Sequence, residues 1–228
     1  MKKCGIILIA LLIGLGFVMI PYDELQLYKS RRDFSSSPEP SGKKMKRKKG
    51  EQPIFVIQKH DASHLHYDFR IEIDGVLKSW AIPKGPSTDP HDKRLAVPTE
   101  DHPMDYAHFE GVIPEGHYGA GPVLVWDIGT FENIKQKDGA LVPMKECYKN
   151  GQIEIFLHGK KLEGGYALIR TDYSGEEKWL CIKMNDEYAD ARRNPVSTQP
   201  ESVLSGKTIE EIAQESQVTK HSKKKRKK

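Results

Sequence analysis

The stretch Gln58 to Gly75, QKHDASHLHYDFRIEIDG, brings His60, His66, Asp68 and Arg70 close together in the chain. Imidazole and carboxylate bind divalent transition metals, and a guanidinium grips phosphate oxygens through parallel donors. From Leu65 to Ile73 apolar and polar residues alternate strictly. Successive side chains of a strand point to opposite faces, so Leu65, Tyr67, Phe69, Ile71 and Ile73 share one face. His66, Asp68, Arg70 and Glu72 share the other, about 6.5–7 Å between neighbours. Alternation alone would favour a solvated sheet face. Composition favours a site, because solvated faces draw Lys, Glu, Thr and Ser rather than His, Asp and Arg together.

Elements must position that row. Ile54–Lys59 reads as a strand ending at His60, and Asp74-Gly75 as a two-residue hairpin turn into Val76–Ile82. Further strand-like runs lie at 94–98, 122–127, 153–157, 166–171 and 178–184. Between them stand turn sequences at Pro83–Pro86, Gly116–Gly121, Asn150-Gly151 and Gly164-Gly165. Many short strands at short spacing predict a mainly β fold, a compact antiparallel barrel or sandwich with short peripheral helices. Val56, Leu77, Trp80, Ile82, Val123, Val125, Ile155, Leu168, Leu180 and Ile182 are the expected inner faces. Short helices are expected within 23–34, at Asp186–Arg193 and at Lys207–Gln214, with Ser197–Gly206 as linker.

The net charge of +4 over 228 residues is unevenly spread. Lys43–Lys49 holds six basic residues and Lys220–Lys228 seven; with those set aside the rest of the chain stands at −9. An acidic body with two basic, disordered runs attracts a polyanion without reading its sequence. Cys4, Cys147 and Cys181 form no CxxC and no zinc spacing, which argues against disulfide or structural-zinc scaffolds. Lys2-Lys3 followed by the apolar run Cys4–Ile20 resembles a signal peptide without a small-x-small cleavage pattern. An uncleaved anchor, a signal, or an upstream start codon wrongly chosen all fit it. Membrane contact or export is expected only if that leader is genuine; otherwise a cytoplasmic, nucleoid-associated protein is.

His102 precedes Pro103 in TEDHPMDYAHFEG, which predicts an extended loop residue, with Tyr106 four positions on. GHYGAG over 116–121 reads as a tight turn rather than a phosphate cradle. No GxSxG, HExxH or Walker lysine is present, which leaves serine hydrolase, zincin and P-loop NTPase readings without support. Arg32, Asp33 and Glu39 read, unaided, as surface charge.

QKHDASHLHYDFRIEIDGVLKSWAIPKGP, then EDHPMDYAHFEGVIPEGHYGAG and VWDIGTFE, resembles the 3′-phosphoesterase domain of bacterial DNA ligase D and its stand-alone relatives. YKSRRDFSSSPEP upstream, with KLEGGYALIR, WLCIKMNDEYA and PESVLSGKTIEEI downstream, extends the likeness over roughly Leu27 to Ile212. The resemblance implies a compact β-barrel and manganese-dependent healing of 3′ ends at primer-template junctions. A terminal ribonucleoside is removed by phosphodiesterase action, and the 3′-phosphate left behind by phosphomonoesterase action. It places metal ligands on His60, His66 and Asp68 and phosphate contacts on Arg70 and His102. It adds Tyr106, Gln58, Arg32, Asp33 and Glu39 as further residues needed for activity. His117 stands where that family commonly has an acidic residue, and the apolar leader is foreign to its pattern.

The expected organisation is a leader over 1–22, an arm with a basic linker over 23–52, a phosphoesterase barrel over 53–193, and a linker, helix and tail over 194–228. The expected partners are DNA with 3′-ribonucleotide or 3′-phosphate ends, and a ligase, polymerase and Ku-type protein carried on other chains. The competing readings are a non-catalytic module that recruits such enzymes to broken ends, and a phosphoesterase acting on RNA ends.

Overall fold

The computed structural model describes residues 23–42, 50–173 and 176–216. The apolar leader and both lysine runs lie outside the described residues. Strand β1 (Ile54–Asp61) pairs antiparallel with β2 (Leu65–Ile73), and β2 with β3 (Val76–Ile82). The sheet continues through β4 (Lys93–Pro98), passing over the short β5 (Gly111–Ile113) and the long β6 (Gly121–Asn133) in sequence. A two-stranded ribbon follows, β7 (Gln136–Lys137) and β8 (Ala140–Leu141). Then come β9 (Gln152–Gly159), β10 (Glu163–Tyr173) and β11 (Glu176–Lys183). Neighbours run β1-β2-β3-β4-β11-β10-β9-β6, and β6 pairs back onto β1, which closes an antiparallel barrel with β5 added beside β6.

The hairpin chemistry expected at Asp74-Gly75 is present. Ile73 pairs with Val76, and both turn residues have positive φ, 53° and 84°, as a type I′ turn requires. This turn fixes the β2–β3 register, which sets Asp68 opposite Ala81 and Arg70 opposite Ser79. A slip of one residue would turn the whole polar row into the barrel.

Two apolar cores result. Phe55, Ile57, Phe69, Ile71, Trp80, Leu124, Trp126, Phe131, Leu157, Leu168 and Trp179 fill the barrel interior. A second cluster lies outside, where Tyr28, Tyr106, Ala107 and Phe109 cover Val56, Leu77, Val123 and Val125. Those four strand residues are thus buried as expected, but against the outer face. Leu180 and Ile182 depart from expectation: they are half-buried, while Trp179 and Cys181 are buried, with Lys183 on the same side of β11. The run WLCI is apolar on both faces, so periodicity could not choose between them; the pairs Trp179–Ala96 and Cys181–Arg94 do.

The peripheral helices are short: α1 (Gln26–Ser30), α2 (Met144–Asn150) and α3 (Pro195–Thr198), with residues 209–216 also helical. Asp186–Arg193 forms turns rather than the helix expected. Asp186 accepts the amides of Gly165 and Tyr188 and holds the buried Lys183 ammonium, contacts that take the segment back along the barrel. The expected linker at 197–206 is pinned: Lys161 Nζ donates to the Gln199 carbonyl at 2.8 Å, and the Val203 amide to the Val125 carbonyl at 3.0 Å. Cys147 and Cys181 are free and buried, and burial pushes the Cys181 thiol up to about 12. Among the described residues no helix is long and apolar enough to cross a membrane.

Gly121 begins β6 at φ +142°, and a Cβ there would stand 2.1 Å from the Asp61 carbonyl oxygen. Gly75 also has positive φ, but a Cβ there meets nothing within 4 Å. Gly121→Ala is therefore expected to cost more than about 2 kcal/mol and Gly75→Ala about 1 kcal/mol. Urea denaturation of the two variants checks the order; equal losses would mean that the β1–β6 contact has slack to give.

Candidate metal and phosphate site

His60 and His66 are directly paired residues of β1 and β2, and Gln58 and Asp68 are the next pair on the same face. Their ligating atoms, with those of Asp68, all lie within 4.8 Å of one another. His60 Nδ1 is 3.6 Å from Asp68 Oδ2, and His66 Nε2 is 3.6 Å from Asp68 Oδ1. Each ring is held from behind. His60 Nε2 donates to the Gly119 carbonyl at 2.8 Å, and His66 Nδ1 to the His64 carbonyl at 2.9 Å. A carbonyl can only accept, so each outer nitrogen carries a proton, and the inner nitrogen, the one that faces Asp68, is the atom each ring has left to ligate with. Two imidazole lone pairs and a carboxylate, oriented by backbone carbonyls, are a donor set that fits a divalent transition metal.

The polar row is not solvated. Asp68 is 5% exposed and Arg70 3%. Burial works against the Asp68 charge, but Arg70, His60 and His66 together hold its carboxyl well below the usual carboxylate range. Burial likewise opposes a proton on His66, yet the Asp68 hydrogen bond and charge raise that ring above its ordinary value.

Arg70 is committed at each nitrogen. Nε donates to Gln58 Oε1 at 2.8 Å, Nη1 to Ser79 Oγ at 2.5 Å and Nη2 to Asp68 Oδ2 at 2.9 Å, while Nη1 also faces His102 Nδ1 at 2.9 Å. Gln58 in turn donates to the carbonyls of Tyr106 and Phe109 at 3.1 and 3.0 Å, so it ties Arg70 to the loop above. One Nη2 hydrogen remains for a ligand.

His102 is placed more firmly than a loop residue would be. It bridges Leu77 by two backbone hydrogen bonds, 2.8 and 2.9 Å, which carries the chain beyond β4 on along β3. The ring lies 4.8 Å from the Tyr106 ring and 5.1 Å from that of Tyr28. Its Nδ1 sits 2.8 Å from the Glu100 carbonyl and 2.9 Å from Arg70 Nη1, and its Nε2 3.3 Å from Arg32 Nη2. Burial, Arg70 and Arg32 push it well below the usual histidine range, so the ring is neutral. In either tautomer one of the two guanidinium donors lacks an acceptor on the ring. The cluster thus has surplus N–H groups, which an anion satisfies.

The arm completes this cluster. Arg32 donates to Glu39 at 2.7 Å and to Glu100 at 2.8 Å, with its guanidinium carbon 3.9 Å from the centre of the Tyr28 ring. Glu39 also accepts the Tyr106 hydroxyl at 3.1 Å, and Tyr28 donates to the Pro40 carbonyl at 2.5 Å. Arg32 and Glu39 are therefore buried rather than surface residues. Asp33 is exposed and outside the pocket. It accepts the Ser35 amide and the Ser35 and Ser36 hydroxyls, which lower it to about 2, and so it shapes the turn of the arm. Glu100, Ser79 and Tyr118 were not singled out from sequence. Glu100 clamps Arg31 and Arg32, both at 2.8 Å, with 1% of its side chain exposed. Its place two residues before the His102-Pro103 pair was the available signal.

His60, His66, Asp68, Arg70, His102 and Arg32 all line one pocket of 250 Å³. A family model described as "DNA Ligase D 3'-phosphoesterase domain" matches residues 58–170, the segment that carries the pocket's barrel and loop residues. The chain belongs to that family. The multifunctional non-homologous end joining protein LigD of Pseudomonas aeruginosa is 47% identical over 185 residues, 80% of this chain and 21% of that protein. LigD of Mycolicibacterium smegmatis is 44% identical over 165 residues, 72% of this chain and 21% of that protein. The non-homologous end joining DNA repair protein LigD of Mycobacterium tuberculosis is 43% identical over 165 residues, 72% of this chain and 20% of that protein. The chain therefore spans about a fifth of the length of these relatives.

Of the residues the resemblance names, His60, His66, Asp68, Arg70, His102, Tyr106 and Arg32 line the pocket together with Glu100; Gln58 and Glu39 brace two of them, and Asp33 lies outside. Glu100→Gln would leave two guanidiniums short of a countercharge beside His102. It is expected to destabilise the fold by about 3 kcal/mol, read by urea denaturation. A loss under about 0.5 kcal/mol would show that Glu39 alone suffices to hold Arg32.

Proposed function

We propose that this chain is a manganese-dependent 3′-end phosphoesterase acting on DNA primer-template ends. In the first reaction water attacks the phosphorus that joins a 3′-terminal ribonucleoside to the primer. The bond from phosphorus to the ribonucleoside O5′ breaks, releasing the nucleoside with a 5′-hydroxyl and leaving a 3′-phosphate. In the second reaction water attacks that phosphate, the bond to the primer O3′ breaks, and inorganic phosphate and a 3′-hydroxyl result. The observation that carries the reading is the union, in one 250 Å³ pocket, of a three-atom ligand set with a surplus of anion-seeking donors.

His60, His66 and Asp68 would hold the metal, and their nitrogen-rich donor set suits manganese or another transition metal better than magnesium. The ion, when bound, supplies Lewis-acid polarisation of a phosphoryl oxygen. The free Nη2 hydrogen of Arg70 and the Arg32 Nη2 group meet charge that develops on the other oxygens. His102, neutral and hemmed by two guanidiniums, is a poor general acid, so we assign it a phosphate hydrogen bond rather than protonation of the leaving group. Gln58, Tyr106 and Glu39 act through their neighbours: they fix Arg70, His102 and Arg32 in place. Asp33 acts on the turn that carries Arg32 and Glu39 to the pocket. DNA ends in non-homologous end joining are the substrate we assign on the strength of the relatives' stated role. A ligase, polymerase or Ku-type partner would act on the healed end.

The test uses metal-stripped protein and a 5′-labelled primer-template ending in one 3′-ribonucleotide. Added Mn²⁺ should convert the primer first to a 3′-phosphate and then to a 3′-hydroxyl, and chelation should stop both steps. Binding without cleavage would favour the recruitment reading, and equal cleavage of an RNA primer would remove the DNA assignment. His66→Ala or Asp68→Ala should weaken metal binding at least about 100-fold by calorimetry. Unchanged affinity would mean that the ion sits elsewhere. Arg70→Lys should lower kcat by about 10² to 10³, because an ammonium cannot replace a fork already holding Gln58, Ser79 and Asp68. Near-normal turnover in that variant would reduce Arg70 to a structural role.

A further inference from the structure

Tyr118 is the anomaly among the aromatic residues around the pocket. Tyr28 and Tyr106 are 0% and 2% exposed, whereas Tyr118 is 49% exposed and lines the pocket wall. Single exposed tyrosines are common and by themselves mean nothing. This one is braced. The Arg31 guanidinium carbon lies 4.6 Å from its ring centre, and Arg31 Nη1 donates to its hydroxyl at 3.0 Å. Arg31 is anchored on Glu100 at 2.8 Å, the same carboxylate that holds Arg32. The backbone is fixed as well: hydrogen bonds from the His117 amide to Pro114 and from the Ala120 amide to His117 bracket the residue. The next carbonyl, that of Gly119, receives His60 Nε2. A cation-backed ring therefore stands at the pocket mouth, one residue from the carbonyl that orients a metal ligand.

Such a ring offers a flat, electron-rich surface to anything the pocket holds by a phosphate. Every nucleobase has a π-face, so stacking there is strong and indifferent to sequence. An arginine laid against the ring adds cation–π attraction and holds the ring's angle.

We propose that Tyr118, braced by Arg31, is the platform on which the base of the terminal nucleoside stacks while the phosphate beside it occupies the pocket. This rests on the phosphoesterase reading above and adds to it a residue that favours ends bearing a nucleoside. Tyr118 does not touch the reacting atoms; it sets where the leaving nucleoside lies.

The test compares two primer-templates in Mn²⁺, one ending in a complete ribonucleotide and one whose terminal ribose carries no base. Wild-type protein should prefer the complete end by about tenfold in kcat/KM. In Tyr118→Ala that preference should fall to about one, and Tyr118→Phe should keep it. Because each ratio is taken within one protein, general damage to the contact between Gly119 and His60 cancels. A ratio near one in wild type, or the same preference in Tyr118→Ala, overturns the platform. A second readout needs no cleavage: a terminal 2-aminopurine base titrated with metal-free protein should be quenched by wild type and not by Tyr118→Ala. If wild type cleaves neither primer yet shows that difference, the platform stands and the proposed reaction falls. If the quenching is the same in both proteins, the platform falls, whatever is cleaved.

Discussion

The ion pair between Arg70 and Asp68 is the constraint around which the molecule is arranged. Both side chains lie on the outer face of a barrel strand, both are buried, and they meet at 2.9 Å. Losing one partner of such a pair costs about 3–5 kcal/mol, because the other charge is left without water and without a counterion. The pair therefore has to be complete before the site can be covered. Completion uses Gln58 and Ser79 on the neighbouring strands, at positions set by the β1–β2 and β2–β3 registers. The same pair presents the Asp68 carboxylate to the two imidazoles in ionised form. Strand register, charge state and ligand orientation thus follow from one contact.

Covering that face needs a second apolar core, which the arm over 23–42 and the loop over 103–113 provide. Tyr28 and Tyr106 bury large rings against Val56, Leu77 and Val125. Burial of a single side chain of this size is worth roughly 1.5–3 kcal/mol. That gain offsets part of the cost of bringing Arg32, Glu39 and Glu100 out of water. The three charges then cap the pocket as a chain of contacts from Glu39 through Arg32 to Glu100. An arm without its aromatic residues would bring charge to the site with nothing to hold it there.

Much of this was legible in the sequence because alternation and turn chemistry are local. The polar row of β2, the Asp74-Gly75 hairpin and a mainly β fold follow from side-chain period and turn chemistry, and the family resemblance chose the barrel. Residue type pointed to metal and phosphate chemistry, and the family resemblance named the ligand set. Three features were not legible. Leu180 and Ile182 sit in a run apolar at every position, so their outward direction depends on pairing with β4. Arg32 and Glu39 read as surface charge because their burial depends on contacts with Glu100 and Tyr106, each nearly seventy residues away. Asp33 belongs with them in sequence yet points to Ser35 and Ser36, since adjacent residues in a turn face different ways. The family resemblance joined Asp33 to the site; the geometry gives it the turn.

The surplus of donors around His102 explains why the pocket would prefer a phosphate to a carboxylate or a sugar hydroxyl. Arg70 and Arg32 both aim at one neutral ring that can accept only one hydrogen bond. Protonating the ring would worsen the conflict, which is the electrostatic sense of its lowered proton affinity. An acceptor with several oxygens relieves it by taking a donor from each guanidinium and another from the imidazole. A hydroxyl has too little negative charge to do so, and a planar carboxylate offers two oxygens where a tetrahedral phosphoryl group can spread three. With His60 and His66 on the far side of Asp68, the pocket presents donors from one direction and a group that could hold a cation from the other. A preference for a phosphoryl group would therefore rest on the surplus donors around His102, which Asp68 links to the two imidazoles through the oxygen it shares with Arg70 and His60.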